Sequence, residues 1–190
     1  MFIIQQIPLF VLLAAEFIVV VAMILILVSG LISSIHGAPY VPIRKKMTKD
    51  LLFFGGLSAD DIFYDLGSGD GRVLISAVKD FGIEKAVGYE IALWPYLKSK
   101  FLIQWTDFGN SIDIKRSNFL KTDLSSATLI YVYLFPKLVD RLAFKIADEC
   151  RAGTKILCPS FPIDIVKHPE FKLLKSEKIG RITAYLYEKF

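Results

Sequence analysis

A nine-residue segment, Tyr64-Asp65-Leu66-Gly67-Ser68-Gly69-Asp70-Gly71-Arg72, constrains the fold of this chain more than any other feature. It follows the apolar pair Ile62-Phe63 and precedes the largely apolar run 73–78. An apolar run, three closely spaced glycines and a second apolar run predict a buried strand, a tight loop and the start of a helix. Such units are typical of parallel α/β sheets.

An acid, Glu90, closes the next apolar run, 86–89. Glycines let a backbone approach a ligand, N–H groups at a helix start face it, and a carboxylate accepts hydrogen bonds from ribose hydroxyls. The combination predicts a nucleotide-like ligand. An ordinary turn is the simpler interpretation of the loop alone. An EF-hand loop would end in a glutamate, whereas Ser76 and Ala77 lie near that position.

The glycine spacing is G-x-G-x-G, and Arg72 stands where a dinucleotide-binding loop has its third glycine. Asp65 lies two residues before the first glycine. Both details favour S-adenosylmethionine over a nicotinamide dinucleotide as the ligand. Glu90 is compatible with either.

Apolar periodicity beyond the loop predicts alternating strands and helices. The predicted strands are 62–66, 86–90, 112–116, 129–134, 155–159, 171–178 and 181–188, and the predicted helices are 44–54, 71–81, 94–107 and 137–150. This order predicts a doubly wound, mainly parallel, seven-stranded Rossmann-like α/β sheet. Only Ile179-Gly180 separates the last two strands, which predicts a C-terminal antiparallel hairpin. Ligands of such sheets bind at the carboxyl ends of the strands, where Glu90, Asn118 and 133–136 are expected.

The segment Leu9–Val28 is an apolar run of 20 residues with one charge, Glu16. As a helix it would span about 30 Å, the thickness of a hydrocarbon core. Its apolar residues contribute roughly −4 to −9 kcal/mol to insertion, and Glu16 opposes with about +3 kcal/mol. A cleaved signal peptide is less consistent, because no Lys or Arg precedes the run and the run is too long. We therefore predict one transmembrane helix.

These features divide the chain into an anchor (1–35), a juxtamembrane connector (36–47) and a catalytic domain (48–190). Basic residues follow the span and none precedes it, which predicts a single-pass protein with its domain in the cytoplasm, or in the matrix of an organelle. The basic residues are Arg44, Lys45, Lys46 and Lys49. The same cluster could contact anionic headgroups or form a solvated helix start.

Ala15, Ala22 and Ser29 recur every seven residues along the span. Small residues at this spacing could form a seam for helix–helix association in the membrane. Glu16, within the span, is a candidate functional carboxylate or a protonated and harmless one.

Other site chemistries find little support in the sequence. The two cysteines, Cys150 and Cys158, match no zinc or redox spacing, and the two histidines, His36 and His168, lie far apart. We expect no metal site. The net charge of +4 is modest, and no long basic stripe interleaved with aromatic residues argues for nucleic acid.

The chain resembles the class I S-adenosylmethionine-dependent methyltransferases over about residues 38–187. The resemblance rests on Pro39-Tyr40-Val41-Pro42, the 64–72 loop, Val87-Gly88-Tyr89-Glu90, Trp94, Tyr133-Leu134-Phe135-Pro136, Ser160-Phe161-Pro162 and Ala184-Tyr185. It is most similar to the membrane-anchored protein-lysine methyltransferases that modify the adenine nucleotide translocase and the c-ring protein of ATP synthase. The resemblance therefore implies a lysine-bearing membrane or membrane-associated protein as substrate.

The resemblance also implies which residues contact the cofactor. They are Asp65, Gly67, Ser68, Gly69, Asp70, Gly71, Glu90 and, on the adenine side, Asn118. At Asn118 relatives commonly carry Asp, and an amide oxygen can still accept from the adenine amine.

Methyl transfer to an amine needs positioning and a neutral nitrogen, and an apolar aromatic slot supplies both. Tyr133, Phe135 and Pro136 are the candidate walls of this slot, with Tyr131 on the same strand face as Tyr133. Ordinary strand core is the alternative interpretation of these residues. Two other functions stay open: a methyltransferase for a lipid or quinone-like small molecule, and a non-catalytic S-adenosylmethionine-binding scaffold.

Overall fold

The computed structural model describes residues 9–35 and 43–190. Its elements, in chain order, are α1 (Leu9–Ile35), α2 (Lys45–Phe54), β1 (Ile62–Leu66), α3 (Arg72–Phe81), β2 (Lys85–Glu90), α4 (Leu93–Gln104), β3 (Ile112–Arg116), a 3₁₀ helix (Phe119–Lys121), β4 (Leu129–Val132), α5 (Pro136–Glu149), β5 (Lys155–Pro159), β6 (Phe171–Ile179) and β7 (Ile182–Lys189). Residues 36–42 of the predicted connector, with the Pro39–Pro42 motif, lie outside the described residues. The helix α2 begins within the remainder of that connector.

The seven strands form one sheet in the order β3-β2-β1-β4-β5-β7-β6. The strands β1 to β5 pair in parallel, and β7 pairs antiparallel with both β5 and β6. The predicted doubly wound sheet with its C-terminal hairpin is thus confirmed. The order reverses direction between β1 and β4, which is where sheets of this type bind their ligands.

The strand β4 ends at Val132, two residues earlier than predicted. Pro136 is the first residue of α5, where its missing N–H and fixed φ suit a helix start. Proline also forces the residue before it into extended geometry, and Phe135 has φ −64° and ψ 155°. Tyr133 and Phe135 therefore lie on a short connection beyond the strand rather than within it.

Two apolar layers cover the sheet. On one face α5 packs Leu142 and Ile146 against the strands. On the other face α2 and α3 contribute Leu51 and Leu74, and Ile103 of α4 joins them. Loops at the carboxyl ends of the parallel strands stay outside these layers, and the candidate site lies there.

The helix α1 differs from the other helices because its apolar side chains are largely exposed. In the described part of the chain, Leu9–Val28 is the one segment long and apolar enough to cross a membrane, judged by length and composition. Within the fold, α1 lies against α4.

Candidate functional site

Backbone hydrogen bonds fix the glycine loop against the end of β2. The N–H groups of Gly67 and Ser68 both donate to the carbonyl oxygen of Tyr89, at 2.9 and 3.0 Å. Gly71 then caps α3 with φ +75°, a region that residues with a Cβ rarely adopt. A Cβ on Gly71 would lie 3.1 Å from Cβ of Ser99 in α4. The sequence therefore needs glycine here both for the turn and for the close approach of α4.

Glu90 ends β2 and holds the next part of the loop. Its Oε2 accepts from the N–H of Gly69 at 3.0 Å, and its Oε1 accepts from the N–H of Ala92 at 2.7 Å. Burial raises the pKa of Glu90 above its ordinary value, while these backbone N–H groups act in the opposite direction. The predicted acid thus lies directly beside the predicted loop.

Three buried polar atoms beside the loop have no hydrogen-bond partner among the described residues: Oδ2 of Asp65, Oγ of Ser68 and the hydroxyl of Tyr131. Asp65 and Tyr131 are register partners on the adjacent strands β1 and β4. Burial raises the pKa of Asp65 well above its ordinary value, and the nearby acids Glu90 and Asp70 raise it further. A carboxylate in this position is costly by itself, so the cluster suits a ligand that brings a positive charge and donors.

Asp70 has a second role that its sequence position does not reveal. Its carboxylate accepts from Nε and Nη2 of Arg72, at 2.8 and 2.6 Å, and forms an ion pair of 3.1 Å with Lys98 of α4. Arg72 also donates to the carbonyl oxygen of Ile43, at 2.7 Å. Asp70 therefore ties the loop to α4 and to the chain that enters the domain. Its predicted contact with the cofactor stays a prediction.

Asn118 lies at the same edge, because the N–H of Ser117 donates to the carbonyl oxygen of Glu90 at 3.1 Å. The side-chain oxygen of Asn118 accepts from the N–H of Leu120 at 3.0 Å and so caps the 3₁₀ helix. Asn118 is half-buried. This position agrees with the predicted adenine side, and the contact itself stays a prediction.

The aromatic part of the site follows β4 and β5. Phe135 and Pro136 are exposed, and Tyr133 is half-buried against the same apolar cluster as Tyr131, as predicted for two residues on one strand face. The ring of Phe135 lies 5.6 Å from that of Phe161. Sequence reasoning omitted Phe161 from the site, although it follows a parallel strand as the other site residues do.

Ser160, the residue before Phe161, has φ 69° without being glycine. Strained backbone of this kind is concentrated at functional sites. It turns the chain at the end of β5 so that Phe161 meets Phe135.

The predicted residues thus gather at one edge of the sheet. Those on the loops after β1, β2 and β3 form a polar half, and those after β4 form an apolar half. The polar half fits S-adenosylmethionine: the partnerless oxygen of Asp65 suits its cationic part, Glu90 suits ribose hydroxyls, and the glycine loop lets backbone N–H groups approach.

Comparison with known proteins agrees with this geometry. A family model described as "ANTKMT methyltransferase domain" matches residues 65–170. A protein-lysine N-methyltransferase of Saccharolobus islandicus is 35% identical over 82% of this chain and 96% of its own length. An adenine nucleotide translocase lysine N-methyltransferase of Mus musculus is 28% identical over 52% of this chain. An enzyme of Xenopus laevis that is named as a lysine N-methyltransferase of the ATP synthase C protein is 29% identical over 65% of this chain. The matches span 43% of the mouse relative and 54% of the Xenopus relative.

Among solved structures, an RNA methyltransferase from Salinibacter ruber in complex with S-adenosyl-L-homocysteine superposes with a TM-score of 0.71 at 23% identity. The match covers 78% of this chain and 94% of that one. At this identity the likeness concerns the fold.

Proposed function

Because the chain belongs to the family of the ANTKMT methyltransferase domain, we propose that it transfers methyl groups from S-adenosylmethionine to lysine ε-amines of a membrane or membrane-associated protein. The observation that carries the proposal is the relative from Saccharolobus islandicus, a protein-lysine N-methyltransferase matched over nearly its whole length. The other two relatives name membrane proteins as their substrates, and their names supply the proposed substrate class.

The polar half of the site binds and orients the donor. When bound, S-adenosylmethionine supplies an electrophilic methyl group: the lone pair of the amine forms the new N–C bond as the C–S bond breaks. Asp65 balances the positive charge of the donor, and Glu90 holds ribose hydroxyls while keeping Gly69 in place. This work is positioning, which is how such displacements are accelerated.

The apolar half prepares the acceptor. A lysine ammonium has no lone pair, so it must release its proton to solvent before attack. The rings of Phe135 and Phe161 form an aromatic wall beside the donor site. Contact with this wall removes water from the amine, lowers its pKa and favours the neutral form. The half-buried ring of Tyr133 continues the wall toward the sheet.

Membrane attachment forms the second part of the proposal. The apolar helix α1 spans the bilayer, and the basic residues after it keep the domain on the cytoplasmic or matrix side. Residues 1–35 are thus the anchor and 48–190 the catalytic domain. With the domain tethered this close, substrate lysines lie in membrane proteins or their short loops.

Incubating membranes with a methyl-labelled donor tests the reaction. We expect label in a protein band, mapped to lysine by mass spectrometry, with the full chain and far less with Glu90→Ala. Label confined to the lipid extract would replace the lysine assignment with the small-molecule alternative. Donor binding without label in either fraction would indicate the non-catalytic scaffold.

Carbonate extraction and protease protection test the anchor separately. The full chain should stay in carbonate-washed membranes, and its domain should resist protease added from the outer side. Release into the supernatant would contradict the span, and digestion of the domain from outside would contradict the orientation.

A further inference from the structure

The helix α4 is apolar on two opposite faces. One face packs on the sheet side through Pro95, Ser99 and Ile103. The other carries four large apolar side chains that recur at spacings of three, four and four residues and so share one side of the helix. They are Trp94, Leu97, Phe101 and Trp105, exposed by 42, 44, 59 and 77%. We call these four residues the α4 aromatic face.

Large exposed apolar patches on a soluble surface mark a contact with a partner or a membrane. The α4 aromatic face is a continuous patch, and the rings of Phe101 and Trp105 lie 5.8 Å apart. It belongs neither to the polar half of the methyl-donor site nor to the Phe135–Phe161 wall. The proposed reaction therefore leaves it unexplained.

The position of α4 in the fold identifies the partner. The apolar helix α1 lies against α4, so a bilayer that surrounds α1 reaches α4 as well. The exposed Lys100 stands beside the face, with its Nζ over the ring of Tyr96 at 5.9 Å. Tryptophans at the headgroup level with lysines that reach into the aqueous layer are the side chains that favour a membrane interface.

We propose that the α4 aromatic face lies on the lipid bilayer, with its rings at the headgroup level and α4 in the plane of the interface. This inference rests on the proposed membrane attachment and adds a second contact to the tether. Lys98 of α4 binds Asp70 in the glycine loop at 3.1 Å, and Ala92 before α4 binds Glu90. Contact of α4 with lipid thus sets the height and tilt of the donor site above the bilayer.

The chain supplies its own probe, because Trp94 and Trp105 are its only two tryptophans. The full chain is reconstituted into vesicles of phosphatidylcholine and phosphatidylglycerol with or without bromine on the acyl chains. We expect tryptophan emission to shift to the blue relative to a short-chain detergent and to fall by roughly half in brominated vesicles. Phe101→Glu should abolish most of this quenching while binding S-adenosylmethionine normally. The matched control is Phe144→Glu, an exposed position on α5 in the opposite layer, which should be quenched as the unchanged chain is.

Flotation of the same vesicles separates this inference from the proposed function. A chain that floats but shows unquenched tryptophans overturns the α4 contact and leaves the anchor intact. A chain that fails to float overturns both. Tryptophans that become shielded only as the protein-to-lipid ratio rises, without bromine quenching, identify a second copy of the chain as the partner and overturn the lipid contact.

Discussion

Asp65→Asn should stabilise the protein without its methyl donor and weaken its binding of the donor. Asp65 is 2% exposed, and its Oδ2 has no hydrogen-bond partner among the described residues. Its pKa is raised first by burial and then by the neighbouring acids Glu90 and Asp70. At neutral pH the folded protein therefore holds a carboxylate in a place that disfavours its charge.

A buried charged group without a partner costs about 1–3 kcal/mol or more. Asparagine removes the charge at nearly the same volume, but its amide still needs partners, so we expect a net gain of about 1–2 kcal/mol. For a chain of this size that corresponds to a rise in Tm of about 2–8 °C. The donor loses a charge-assisted contact worth about 1.5–3 kcal/mol, which is roughly a 10- to 150-fold weaker Kd.

The pH dependence provides a second check. A carboxyl whose pKa is higher in the folded than in the unfolded chain stabilises the fold below the unfolded pKa, and this stabilisation is lost as pH rises through the folded pKa. Asparagine does not titrate. The difference in Tm between Asp65→Asn and the unchanged protein should thus grow as pH rises and shrink on acidification.

Thermal unfolding in detergent, with and without S-adenosylmethionine, measures both effects, and calorimetry gives the Kd. The control is Asp60→Asn, an exposed position, which should change neither quantity. A lower Tm for Asp65→Asn in the absence of donor would refute the reasoning that the carboxylate is strained. An unchanged Kd would remove Asp65 from the donor site.

Three further changes test the remaining parts of the site. Glu90→Gln replaces one acceptor oxygen by a donor facing a buried N–H, so the Kd for the donor should rise about 10- to 100-fold by calorimetry; the exposed Glu84→Gln should leave it unchanged, and since the pKa of Glu90 is raised, donor affinity should fall on acidification earlier than for an ordinary carboxyl. Phe135→Ala should lower kcat/KM about 3- to 10-fold with little effect on donor Kd, and so should Phe161→Ala, because each removes one ring of the same pair; equal loss of donor affinity would assign both rings to the donor side. Gly71→Ala should lower the Tm by about 2–8 °C, because it adds a Cβ at φ +75° and 3.1 Å from Cβ of Ser99, whereas Gly109→Ala, with open space around it, should not.

The sequence predicted the parallel sheet well because its signals were local. The strands β1, β3 and β5 have the predicted bounds, since each is a short apolar or alternating run with a turn on either side. The hairpin followed from a link too short for a crossover. The glycine loop and Glu90 were predictable as neighbours because adjacent parallel strands bring their carboxyl ends together.

The features that sequence missed depend on contacts between distant residues. Asp70 has a partner 28 positions away, Lys98, and no spacing rule indicates that pair. The end of β4 was placed too late because Leu134 continues the apolar pattern, and only the geometry imposed by Pro136 shortens the strand. Phe161 joined the site through the strained turn at Ser160. In α4 both faces are apolar, so periodicity alone did not tell which one the sheet covers.

The contacts of Arg72 connect membrane attachment to catalysis in physical terms. Its guanidinium binds the Asp70 carboxylate and the carbonyl oxygen of Ile43, the first residue described after α1. The chain arriving from α1 is thus held by the same side chain that orders the glycine loop. Lys98 brings α4 to the same carboxylate from the other side. Because a buried carboxylate with two cationic partners resists displacement, a movement of the domain relative to the bilayer is transmitted to the loop that holds the methyl donor. Anchor and active site therefore form one mechanical unit, with Asp70 at its centre.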